Sequence, residues 1–167
     1  MWSKILSKFE KHPAQEKVIK LLLERGFQVN DEGRVVSGGI EIPHTQVAGE
    51  IDVDRRVVDS TCEVILGDKT LASIFRNIHT IPFLKDVAPE LGLQVLVITP
   101  GDASRTGILG NVASAVAHRG LSIRQAVTDD PYLAEHPQLT IITDNKIPGD
   151  LVDELMKMPG VKGVTIF

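Results

Sequence analysis

Between residues 93 and 167 the spacing of apolar residues alternates between two periods, and that alternation limits what this stretch can fold into. Residues 94–99 form an apolar run of the length of a buried strand. Over residues 107–119, Ile108, Leu109, Val112, Ala115 and Val116 recur at the spacing of one helix face. Strand-like stretches follow at 122–128 and 139–143. A second helix over 149–158 is built on Leu151, Val152, Leu155 and Met158, and residues 162–167 close with a strand. The order β-α-β-β-α-β is satisfied by one antiparallel sheet backed by two helices.

The front of the chain reads differently. Residues 1–12 predict a short amphipathic helix with Trp2, Ile5, Leu6 and Phe9 on one stripe. Pro13 stops that helix or opens the next, over 14–25, which aligns Val18, Leu21, Leu22 and Arg25 and ends at Gly26. Short strands at 27–30 and 34–36, joined by Asp31-Glu32-Gly33, make a small hairpin. Gly38-Gly39 leaves the next segment without an assignment. Helices are expected over 43–51, 55–66 and 71–78, with Asp54 capping the second. Pro82 and Pro89 punctuate a linker ending near Gly92. The expected class is therefore α+β in two domains, a largely helical one over residues 1–86 and the βαββαβ module over 93–167.

Composition removes several function classes. The net charge of −4 argues against a nonspecific nucleic-acid coat. The charge is uneven: residues 1–30 carry +3, and residues from 87 onward carry −3, which suggests different partners for the two ends. A single cysteine, Cys62, excludes an internal disulfide and any multi-cysteine metal site. No apolar run approaches the roughly 18 residues of a membrane span. The start, MWSKILSKFEKH, lacks the uninterrupted apolar core of a signal peptide, so a soluble cytoplasmic protein with no membrane partner is expected.

Residues 45–58 carry an informative spacing. Two helices packed across a turn of three or four residues need a small residue in the first helix and apolar residues in the turn and the second helix. Ala48, Ile51, Val53, Val57 and Val58 fit those places. Arg55, Arg56, Asp59 and Ser60, just after the cap Asp54, then lie near the end of the second helix where base edges are contacted, and Thr45 and Gln46 can reach phosphates. The segment resembles the helix-turn-helix of bacterial and archaeal transcription regulators. Two departures stand out. Asp52 holds the turn position usually taken by Gly, and the second helix carries Asp59 and Glu63, which phosphates repel. An ordinary helical hairpin that packs on the other domain or mediates dimerisation is the alternative.

The loop Pro100-Gly101-Asp102-Ala103-Ser104-Arg105-Thr106-Gly107 leads into a helix that starts with Gly. Amides at such a start favour a carboxylate, and Gly lets a ligand approach the backbone. Asp102, Ser104, Arg105 and Thr106 can add side-chain bonds, with Asp102 as the acceptor for an ammonium group. The six-element order, the Asp-x-x-x-x-Gly-x-Leu turn from Asp102 to Leu109, the stretch Gly120-Leu121-Ser122-Ile123 and the ending from Pro148 to Val161 resemble an ACT domain over about 75 residues. The family's turn has Pro just before the Gly, where this chain has Thr106. The resemblance implies a regulatory module that binds an amino acid and pairs side by side into a homodimer, or a tetramer. By position it implicates Asp102, Ser104, Arg105, Thr106, Gly107, Ile108, Leu109, Ser122, Ile123 and Gln125. Front and back together resemble predicted archaeal regulators of amino-acid metabolism, which implies DNA as a second partner and no cofactor.

Other groups suggest no chemistry. None of the five histidines has a second ligand three or four residues away, so no zinc site is expected. His44 is expected at the surface or in a cap, and Cys62 as a small packing residue. Asp129 and Asp130, at the start of the loop DDPYLAEHPQ, read as a solvated turn. No nucleophile elbow, phosphate loop or dinucleotide fingerprint occurs, which points away from an enzyme. A regulatory subunit that docks its N-terminal helices on a biosynthetic enzyme is the rival expectation.

Overall fold

The computed structural model describes residues 2–132 and 134–167. Met1, included in the first expected helix, and Leu133, in the loop DDPYLAEHPQ, lie outside them. The chain is α+β and divides into two compact units, Met1–Pro82 and Phe83–Phe167.

The first unit starts with helices α1 (Trp2–Leu6) and α2 (Pro13–Arg25). Pro13 occupies the first turn of α2, where its missing N–H costs nothing. Gly26, at φ +60°, ends it, and the Phe27 amide returns to the Leu22 carbonyl at 2.9 Å. A three-stranded antiparallel sheet follows, β1 (Gln28–Val29), β2 (Val35–Ser37) and β3 (Ile40–Glu41), in that order. The first turn is held by the Asn30 side chain, which accepts from the Glu32 and Arg34 amides at 3.1 and 2.8 Å. The second turn is Gly38-Gly39, both at positive φ, the backbone of a two-residue hairpin. The pair that left the sequence without an assignment thus makes a third strand. Helices α3 (His44–Glu50), α4 (Arg55–Gly67) and α5 (Lys69–Asn77) complete the unit. Asp54 caps α4 through the Arg56 amide, and Asp68 caps α5 through the Thr70 and Leu71 amides. Phe9, Ile19, Leu22, Val58, Ile65 and Phe75 form the centre of its core.

The second unit contains β4 (Gln94–Pro100), α6 (Ile108–His118), β5 (Ile123–Thr128), β6 (Leu139–Thr143), α7 (Gly149–Met156) and β7 (Val161–Ile166). The strands form one antiparallel sheet in the order β5-β6-β4-β7. Leu96, Ile98, Leu139 and Ile141 pack beneath α6 and α7 against Val112, Val116, Leu151 and Leu155. The two helices are tied by Arg119, which reaches Asp150 at 2.9 Å and Glu154 at 2.8 Å.

The reverse face of the sheet is covered too. Val95, Val97 and Ile142 pack against Ala88, with Leu84 and Leu93 beside them. Residues 83–93 therefore form a strap across the sheet, not the linker expected between Pro82 and Gly92. Residues 83–86, assigned to the first domain by punctuation alone, group with the second. The reason is packing: the prolines break regular structure, but Leu84, Ala88 and Leu93 bury apolar area on the central strands.

Candidate functional site

A cleft of about 330 Å³ opens at one end of the second unit's sheet. Register explains its position. Ile98 lies opposite Leu139, and Leu139 opposite Thr128. The loop after β4 and the loop after β5 therefore emerge at the same end. The first loop brings Pro100, Ala103, Arg105 and Gly107; α6 brings Ile108 and Leu109; the second loop and its flanks bring Thr128, Asp129, Asp130, Pro131, Gln138 and Leu139.

Each charged group in the cleft has a local cause for its place. Gly107, at φ +89°, opens α6 and has no side chain to cap the first amides of the helix. Arg105 lies across Gly160, where an added Cβ would meet its Cδ at 3.0 Å. Gly160 also accepts from the Gly101 amide at 2.9 Å, which ties the loop to the start of β7. Asp129 accepts from the Gln138 amide at 3.0 Å, and its own amide donates to the Gln138 carbonyl at 2.9 Å. Asp130 accepts from the Tyr132 amide at 2.8 Å. One guanidinium and an uncapped helix start thus share a cleft with two carboxylates fixed by backbone bonds.

Four of the sequence-derived ligand residues meet here: Arg105, Gly107, Ile108 and Leu109. Asp102, Ser104 and Thr106 are exposed and do not line the cleft. Asp102 turns into its own loop, accepting from the Ser104 hydroxyl at 2.6 Å and the Ser104 amide at 2.9 Å. The hydroxyl bond, then the amide bond, hold its carboxyl below the usual carboxylate range. Ser122, Ile123 and Gln125 sit toward the opposite end of the sheet, since Ile123 pairs with Thr143 and Thr143 with Gln94. That separation within one chain is about 16 Å at 3.3 Å per residue. Gln125 has a different task. An irregularity between Ile123 and Gln125 puts Gln125 opposite Ile142, on the strap side, where its side chain accepts from the Leu84 amide at 3.0 Å. Asp129 and Asp130, read from sequence as a solvated turn, are exposed and half-buried respectively, and they also line the cleft. Only the register of β5 with β6 places them there.

In the first unit α3 and α4 pack across the turn Ile51–Asp54, and Val53 donates to the Ala48 carbonyl at 3.0 Å. Asp52 takes the left-handed conformation at φ +52°, the backbone that the position demands and that Gly would adopt more readily. Thr45, Gln46, Arg55 and Arg56 are exposed, Arg56 with 86% of its side-chain surface open. Asp54 is held below the usual carboxylate range by the Arg56 amide, then by the Arg56 charge. Asp59 and Ser60 do not stand free for bases. Asp59 accepts from His44 Nδ1 at 2.6 Å and pairs with Arg55 at 3.5 Å. Ser60 donates to the Val57 carbonyl and accepts from the Gln15 side chain, both at 3.1 Å.

His44, expected at the surface or in a cap, is only 9% exposed. Its Nε2 accepts from the Val35 amide at 3.3 Å, which leaves the proton on Nδ1 for Asp59. The Cys62 thiol lies 4.0 Å from Nε2, but it is buried, and burial, then the charges of Asp59 and Glu63, push it up to about 12. With its Nε2 lone pair occupied, this histidine does not activate that thiol. Among the described residues no group of three or more His, Cys, Asp or Glu could hold a metal ion, and no helix is long and apolar enough to cross a membrane.

No protein-family model matches the chain. No curated protein matches it. A solved structure described as "Crystal structure of PH0061" aligns over 92% of this chain and 88% of its own, at 13% identity and a TM-score of 0.29.

Proposed function

We propose that the chain is a ligand-responsive regulator whose second unit is an ACT domain holding an amino acid, and whose α3–turn–α4 pair is a helix-turn-helix that binds DNA. One observation carries this reading: the cleft beside Gly107 offers partners for both charges of a zwitterion. The uncapped start of α6 and Arg105 suit a carboxylate. Asp129 and Asp130 suit an ammonium group, the role that sequence alone gave to Asp102. The strand order β5-β6-β4-β7, with α6 and α7 on one face, supports the ferredoxin-like βαββαβ and ACT readings. Exposed Arg55 and Arg56 at the start of α4 support the DNA reading.

The regulator acts as a homodimer through sheet edges, so that two helix-turn-helix units meet two half-sites. An amino acid shifts DNA affinity only by binding two arrangements of that dimer unequally. The test is a thermal-shift screen against the twenty amino acids with a mobility-shift assay on the gene's upstream DNA. A ligand at about 100 times its dissociation constant adds roughly 2.7 kcal/mol. Arg105→Ala should abolish the ligand response, and Arg55→Ala with Arg56→Ala should weaken DNA retention. No response to any amino acid, and no retention at low salt, overturns the proposal.

Asp59 and Glu63 on α4 favour a second reading, in which the first unit docks on a biosynthetic enzyme in place of DNA. A stoichiometric enzyme that co-purifies with the double arginine variant as well as with the parent protein would decide for it.

A further inference from the structure

We infer that the occupant of the cleft carries an aliphatic side chain of the size of valine, leucine or isoleucine. The inference rests on reading the cleft as an amino-acid site and adds the class of side chain. Three charged residues line the cleft, Arg105, Asp129 and Asp130, and the carboxylate and ammonium of any α-amino acid use both signs. The rest of the wall is mainly apolar: Pro100, Ala103, Ile108, Leu109, Pro131 and Leu139. A second carboxylate on the ligand would find no further cation among the described lining residues, which disfavours acidic amino acids. Among the described residues no aromatic ring lines the cleft to stack on a ring in the ligand. Thr128 and Gln138 supply the uncharged polar surface, and the Gln138 backbone is already committed to Asp129.

Leu109 marks where the side chain rests. Its neighbour Ile108 is buried, whereas Leu109 leaves 43% of its surface open at the cleft wall. An aliphatic group laid against it removes apolar area from water on both partners. Each buried methylene contributes a few-fold in affinity, so leucine should bind at least about tenfold more tightly than alanine.

The test is calorimetric titration and thermal shift of the full chain with L-leucine, L-isoleucine, L-valine, L-alanine, L-serine, L-glutamate, L-lysine and L-phenylalanine. The aliphatic three should bind at least about tenfold more tightly than the others. In Leu109→Glu, which changes a half-exposed position, that preference should vanish while the unliganded melting temperature stays close to that of the parent. Serine, glutamate, lysine or phenylalanine binding as tightly as leucine would overturn the aliphatic assignment and leave the amino-acid site standing. Leu109→Glu retaining the leucine preference would overturn it too. A flat response to all eight would remove both.

Discussion

His44 shows how much one ring can join. It bonds α4 through Asp59 and β2 through the Val35 amide, while its own backbone starts α3. Replacing it with Ala leaves a part-buried amide without this acceptor and leaves Asp59 with Arg55 but not the imidazole. We expect a loss of about 2 kcal/mol in urea unfolding, with Arg55 less tightly positioned. Cys62 behaves as packing: its thiol should react with a disulfide reagent only as fast as the first unit opens, and promptly in denaturant. The caps Asp54 and Asp68 are both held below the usual carboxylate range, Asp54 first by the Arg56 amide and Asp68 first by Lys8. A depressed carboxyl stabilises the fold above its unfolded value and loses that contribution as pH falls through the folded one. Melting temperature should therefore drop below about pH 4, with a shallower slope in Asp68→Asn. Sequence made Asp54, Arg55 and Arg56 legible because a cap acts on its immediate neighbours. His44 was not, because its partners stand nine and fifteen residues away.

At the level of elements, the helices of the second unit and the strands on either side of them follow from period alone. Runs of five to seven residues make β4 and β6, and both are covered on two faces, as an unbroken apolar run demands. The loop that lines the cleft was half legible. Gly107, Ile108 and Leu109 follow from the start of a helix, but Asp129 and Asp130 reach the cleft through strand register, which no local pattern encodes. Two glycines separate backbone conformation from space. Gly26 and Gly33 both have positive φ. A Cβ on Gly26 would stand 2.8 Å from the Thr80 amide nitrogen, whereas on Gly33 it meets only a Leu66 methyl at 3.6 Å. Gly33→Ala should cost about 1 kcal/mol of strain. Gly26→Ala adds a backbone clash and should cost several times more or prevent folding of the first unit; parallel thermal melts compare the two.

For the whole molecule, the division at Pro82 and Phe83 gives each unit its own core. Residues 83–167 expressed alone should melt cooperatively. The shorter piece 93–167 follows the boundary that sequence suggests, but it lacks Leu84 and Ala88 and uncovers Val95, Val97 and Ile142. It should bind a hydrophobic dye and melt earlier; equal melting of the two pieces would show the strap to be dispensable. The strap escaped the sequence because Pro82 and Pro89 mark where helices end and say nothing of what the chain between them covers. The strand order also governs how the protein is made. β4 lies between β6 and β7, both translated after it, and its register with β7 pairs Leu96 with Ile166. On the ribosome the first unit has its whole sequence once Pro82 emerges, whereas the nascent β4 and its strap wait for β7 before their sheet can close. During that interval Val95, Val97 and Ile98, all buried in the finished sheet, are left without the strand that closes it.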